Sequence, residues 1–96
     1  MTKISEAEFT RIVDGITRDR DSIIKHNPMG TDEDILLWML LSILIHYLNL
    51  TEMESPCFTG KPDASTYRDA IKFVLKNRLE DKVDVDGYLK KIIGSN

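Results

Sequence analysis

Residues 35–50 read ILLWMLLSILIHYLNL, and this segment decides the fold. All of its residues are apolar except Ser42, His46 and Asn49. A helix that crosses a membrane needs about 20 consecutive apolar residues, and this run is shorter and has no Lys or Arg at either end. We therefore interpret it as a buried helix and expect no membrane contact.

The polar residues of this segment follow one line along the predicted helix. Steps of four and three residues join Ser42, His46 and Asn49, and Trp38 extends the line by one turn. A chain of 96 residues has limited surface with which to cover a helix that is apolar on nearly all sides. An uncovered apolar patch usually marks an interface. We expect a homodimer through residues 35–50, with an interface at Trp38, Ser42, His46 and Asn49.

The remaining helices are predicted from capping residues and from apolar spacing. Thr31 and Asp34 are suited to cap a helix over 32–50, and Ser5 and Glu8 one over 5–25. Asn27–Gly30 breaks the chain between these two helices. A loop is predicted at 51–62, followed by a helix over 64–80 capped by Asp63 or Ser65.

The last element has two interpretations. Val85, Tyr88, Leu89, Ile92 and Ile93 fit a helix over 85–93, capped by Asp84 or Asp86 and stopped by Gly94. Asp86-Gly87 is also a favoured hairpin turn, which would make residues 82–92 a hairpin and the domain winged-helix-like. We favour the helix, and with it a single all-α domain over 1–96, a bundle of three to four helices around a central apolar helix.

Charge and cysteine content limit the function classes. The net charge is −3 and the predicted pI is near 5.3, which argues against a protein that coats nucleic acid. The charge is uneven, because residues 1–60 carry a net −5 and residues 61–96 a net +2. The single Cys57 permits no internal disulfide, and no targeting segment is visible, so we expect a cytoplasmic protein.

We expect no enzyme activity, no metal and no cofactor. Asp84-Val85-Asp86-Gly87 looks like the middle of a calcium loop, but Lys82 and Ile93 stand where that loop needs its first and last carboxylates. No pattern brings Cys57 close to His26 or His46 as a nucleophile and base would require.

A basic stripe on the predicted helix 64–80 is the leading functional candidate. Arg68, Lys72 and Lys76 lie four residues apart, and a basic helix that follows two others is the layout of helix-turn-helix modules. We therefore hypothesise a small DNA- or RNA-binding or regulatory module. The alternative is a homo-oligomeric interaction module that binds no nucleic acid. The residues predicted to contact nucleic acid are Ser65, Thr66, Arg68, Lys72, Lys76, Asn77, Lys90 and Lys91.

Overall fold

A computed structural model of the protein describes residues 4–27, 30–47, 63–79 and 83–94. All regular structure in these ranges is α-helical, which confirms the predicted all-α class. The predicted loop 51–62, with Cys57, and the interface residue Asn49 lie outside the described residues. The helices are α1 (Glu6–Arg18), α2 (Arg20–His26), α3 (Asp32–Tyr47), α4 (Ala64–Leu79) and α5 (Val85–Ile93).

The first predicted helix is divided in two at Asp19. Asp19 has φ −97° and ψ 13°, outside the α-helical range, although its N–H still donates to the Gly15 carbonyl at 3.0 Å. Helix α1 packs against α5, and α2 packs against α3. Apolar periodicity predicted one helix over 5–25, because a turn at a single residue leaves that spacing nearly intact.

The hairpin alternative at 82–92 is wrong, because Val85–Ile93 is helical. Asp84 caps this helix by accepting a hydrogen bond from the Gly87 N–H at 3.0 Å. Gly87 is not among the glycines with positive φ, so the type I′ turn of a hairpin is not formed there. Gly94 ends the helix in the left-handed conformation at φ 77°, as its position in the sequence predicted.

Capping side chains fix where the helices begin. The Glu8 N–H donates to Ser5 Oγ at 3.1 Å at the start of α1, and the Asp34 N–H donates to Thr31 Oγ1 at 3.1 Å at the start of α3. Asp63 rather than Ser65 caps α4, since its carboxylate accepts from the Thr66 N–H at 3.0 Å. These bonds satisfy backbone donors that have no partner within their own helix.

Helix α3 is the centre of the core. Leu36, Leu37, Leu40 and Leu44 are each at most 1% exposed, and α3 packs against each of the other four helices. No helix in the described ranges has the length and apolar content that crossing a membrane requires. The other helices contribute these buried side chains to the core: Phe9, Val13, Ile16, Tyr67, Ala70, Ile71, Val74, Leu75, Leu79, Leu89 and Ile92.

Polar contacts at the surface show how the helices are arranged. The ion pair between Glu33 and Arg68 brings the start of α3 to the start of α4. The Thr10 and Tyr88 hydroxyls share a hydrogen bond of 2.9 Å between α1 and α5, and Lys91 pairs with Asp14 one turn further along both helices. Helices α1 and α5 therefore run side by side in the same direction.

Candidate interaction surface on helix three

One side of α3 is only half-buried, although it is largely apolar. At about 100° per residue, the side chains that point away from the buried leucines fall within an arc of about 160°. We call this the outer face of α3. Its members are Trp38, Met39, Ser42, Ile43 and Ile45, all half-buried, and the exposed His46; Ile35 lies on the same side of the helix but is buried.

The outer face includes the predicted interface residues that the structure describes. Trp38 and Ser42 are half-buried and His46 is exposed, so all three reach the surface of the chain. The sequence did not single out Met39, Ile43 and Ile45, because in a segment this apolar the buried and the outer positions carry the same residue types. Met39, Ile43 and Ile45 lie on either side of the line of polar residues. That line was therefore the one feature of the sequence that could have indicated them.

Exposed polar side chains stand at both ends of α3. Asp32 lies in the first turn of α3 and His46 in its last turn, and both side chains are exposed. Neither side chain has a hydrogen-bond or ion-pair partner within the described part of the chain. Fourteen residue steps from Asp32 to His46 correspond to about 21 Å along a helix. His46 therefore ends the outer face, whereas Asp32 is separated from it by the buried residues 35–37.

Tyr47 closes α3 at the edge of this face. Its ring is 49% exposed, and its hydroxyl donates to Glu8 Oε2 at 2.5 Å, which ties the end of α3 to the start of α1. This hydrogen bond and the contact from Arg11 lower the pKa of Glu8, and the hydrogen bond to Glu8 raises the pKa of Tyr47.

The basic stripe lies on α4, and two of its three cations are neutralised. Arg68 forms an ion pair with Glu33, and Lys72 Nζ lies 2.7 Å from Asp86 Oδ1. The Lys72 contact lowers the pKa of Asp86, which keeps this carboxylate charged. The carboxylates come from α3 and α5, so sequence spacing within the helix could not reveal them.

Of the other predicted nucleic-acid contacts, Lys90 joins Arg68 and Lys72 around Asp86, whereas Lys91 and Thr66 make contacts elsewhere. Lys91 pairs with Asp14, and the Thr66 hydroxyl donates to Asp63 within the α4 cap at 3.0 Å. Lys76, Lys90 and Ser65 are exposed. Asn77 lies within α4, and its side chain is outside the described part of the structure. Among the predicted cations that the structure describes, Lys76 and Lys90 therefore have no ion-pair partner.

A crevice lies where α3, α4 and α5 meet. Its volume is about 550 Å³, and it is lined by the apolar Leu89 and Ile93 and by the Glu33–Arg68 pair. Asp86 and Lys90 complete the lining, so its charges are of both signs. In the described ranges, no three His, Cys, Asp or Glu side chains come together in a group that could hold a metal ion.

No family model matches the chain, and no significant match is found among the curated proteins or among the solved structures.

Proposed function

We propose that the protein is a small helical interaction module that associates with itself through the outer face of α3. The observation that carries this proposal is the composition of that face. Trp38, Met39, Ile43 and Ile45 are half-buried in the chain alone, so each of them has apolar surface left to bury.

Burial of apolar surface supplies the free energy of such an association. Removing such area from water contributes about 25 cal/mol for each Å². Trp38 lies about 20° from Ile45 and Met39 about 40° from Ile43 around the helix. A partner surface must therefore span the whole arc to contact both apolar pairs. A second helix is the simplest partner of that shape, and a second copy of α3 supplies one with the same apolar character.

The proposal is tested by measuring the mass of the chain in solution. We expect light scattering after gel filtration to give a mass that rises from monomer to dimer as the concentration goes from micromolar to millimolar. A mass that stays monomeric over this whole range contradicts the proposal.

Matched substitutions locate the surface. Ile43→Glu places a charge in the outer face, and we expect it to shift the chain to monomer. Phe73→Glu makes the same type of change at an apolar residue of α4 that is 44% exposed, and we expect it to leave the dimer intact. Circular dichroism checks that both variants are folded. If Phe73→Glu abolishes the dimer and Ile43→Glu does not, the interface lies on α4 and not on α3.

Nucleic-acid binding through α4 is the weaker proposal. Lys76 and Lys90, which are exposed and have no ion-pair partner in the described ranges, support it. The pairing of Arg68 with Glu33 and of Lys72 with Asp86 weighs against it, because a phosphate would have to compete with a carboxylate that is already in place.

A further inference from the structure

The crevice between α3, α4 and α5 combines apolar and charged side chains. Helix α5 lines it with Asp86, Leu89, Lys90 and Ile93, whose spacing of three and four residues places them on one side of that helix. Its volume of about 550 Å³ lies within the range of about 300–1,000 Å³ that is typical of small-molecule sites. The crevice is therefore large enough for a small ligand that has both an apolar and a charged part.

Three cations surround Asp86 at this crevice. Lys72 Nζ lies 2.7 Å from Asp86 Oδ1 and lowers the pKa of this carboxylate, and the charges of Arg68 and Lys90 lower it further. Glu33 pairs with Arg68, so the group has three positive and two negative side chains. Its net charge is therefore +1, whereas the whole chain carries −3.

Two of these cations have N–H donors left for a ligand. Lys90 is exposed and has no ion-pair partner in the described ranges. A guanidinium has five N–H donors, and the hydrogen bond from Arg68 to Glu33 uses only the nitrogen Nη2. An anion in the crevice can therefore bind Arg68 and Lys90 while the Glu33–Arg68 pair stays in place.

We infer that this crevice binds a monocarboxylate that carries an aliphatic chain. The carboxylate lies between Arg68 and Lys90, and the chain lies against Leu89 and Ile93. None of these residues belongs to the outer face of α3, so the inference goes beyond the proposed self-association and does not depend on it.

The charge of the crevice favours a ligand with a single negative charge. One carboxylate neutralises the net +1 of the group around Asp86. A dianion such as a phosphate monoester brings an excess of negative charge close to Glu33 and Asp86, and like charges at close range are unfavourable for binding. We therefore expect a carboxylate to bind more tightly than a phosphate monoester with the same chain.

A first experiment tests the ligand class by titrating the full isotope-labelled chain with octanoate and recording heteronuclear NMR spectra. We expect the largest shift changes at the backbone amides of Lys90 and Ile93. Hexanoate is expected to bind about tenfold more weakly, because each buried CH₂ group adds to the affinity. Octylammonium has the same chain length and the opposite charge, and we expect it not to bind in the crevice. Equal binding of octanoate and octylammonium overturns the inference.

A second experiment tests the residues that hold the carboxylate. Lys90→Gln removes one of its two cations, and we expect the dissociation constant of octanoate to rise about tenfold. Lys76→Gln makes the same change at an exposed lysine of α4 that does not line the crevice, and we expect it to have no effect. Circular dichroism checks that both variants are folded. Equal effects of the two substitutions contradict the inferred site.

Two further results separate this ligand and site from others. Octyl phosphate, which is a dianion at about pH 8, is expected to bind more weakly than octanoate, and tighter binding overturns the assignment to a monocarboxylate. Shift changes confined to Trp38, Met39 and Ile43 would place octanoate on the outer face of α3, and the crevice would then not be its site.

Discussion

Gly94 shows how one residue can link two helices that are far apart in sequence. It has φ 77° at the end of α5, and the Arg20 guanidinium lies against it and donates from Nη1 to the Ile92 carbonyl at 3.5 Å. A cation at this position complements the negative end of the α5 dipole. A side chain at residue 94 would be strained by the backbone and would also displace Arg20.

Two glycine substitutions are expected to have opposite effects on stability. Gly94→Ala should lower the free energy of unfolding by about 1–2 kcal/mol, because alanine is unfavourable in the left-handed conformation. Gly15→Ala should raise it by about 0.5–1 kcal/mol, since Gly15 lies within α1 and an added Cβ there meets only Arg18 Nη2, at 3.9 Å. Urea denaturation of both variants measures the two effects. If Gly94→Ala raises the free energy of unfolding, the left-handed conformation of residue 94 is not a reason for the stability of the protein.

At the scale of the elements, carboxylates hold the starts of α4 and α5. The backbone N–H and the hydroxyl of Thr66 both donate to Asp63, and these bonds lower its pKa. The hydrogen bond from Lys72 lowers the pKa of Asp86 in the same way. A carboxylate whose pKa is lower in the folded state stabilises the protein above its unfolded pKa, and this contribution is lost as the pH falls through the folded value.

We therefore expect the thermal unfolding midpoint to fall as the pH is lowered below about 4, the ordinary range of a carboxyl group. Asp63→Asn keeps a capping oxygen at the start of α4 but removes the titration. Combined with Asp86→Asn, it should make the midpoint less sensitive to acid in this range. Thermal melts followed by circular dichroism at a series of pH values measure this. An acid dependence as steep as that of the unmodified chain would contradict the assignment.

The elements were more predictable from the sequence than the contacts between them. Thr31, Asp84 and Gly94 act within one helical turn, so their capping roles could be read from neighbouring residues. The turn at Asp19 could not, because the residues on both sides of it keep the same apolar spacing. The partners of Arg68 and Lys72 could not be foreseen either, since Glu33 and Asp86 reach them only through packing of α3 and α5 against α4.

The candidate site was also only partly predictable from the sequence. The line of Trp38, Ser42 and His46 in the sequence indicated the side of α3 that reaches the surface. Met39, Ile43 and Ile45 share their residue types with the buried side, so their position depends on which faces α1, α2, α4 and α5 cover. That information lies in the packing of the whole chain.

At the scale of the whole molecule, the distribution of charge predicts weak affinity for nucleic acid. The chain carries a net charge of −3, and Arg68, Lys72 and Lys91 are paired with carboxylates. Because affinity for nucleic acid depends on cations that are free to contact phosphates, we expect no measurable binding of mixed-sequence DNA or RNA at physiological salt.

Fluorescence anisotropy with labelled DNA and RNA measures this, first at low salt and then at increasing salt. Glu33→Gln together with Asp86→Asn releases Arg68 and Lys72, and we expect this variant to bind more tightly at low salt than the unmodified chain. Salt-dependent binding by the unmodified chain that Lys76→Gln and Lys90→Gln weaken would instead restore nucleic-acid binding as the leading function.

The pairing of α1 with α5 has a consequence for the order of events during synthesis. Phe9 packs edge-on against Tyr88 with ring centroids 5.2 Å apart, and Thr10 and Asp14 meet Tyr88 and Lys91. These contacts join residues nearly eighty positions apart, which is a long separation for a helical protein, and distant contacts slow folding. As the chain leaves the ribosome, α1 emerges before the helix that covers it has been made. Helix α3 can pack against α1 earlier, but the contacts of α1 with α5 can form only after translation has passed residue 91.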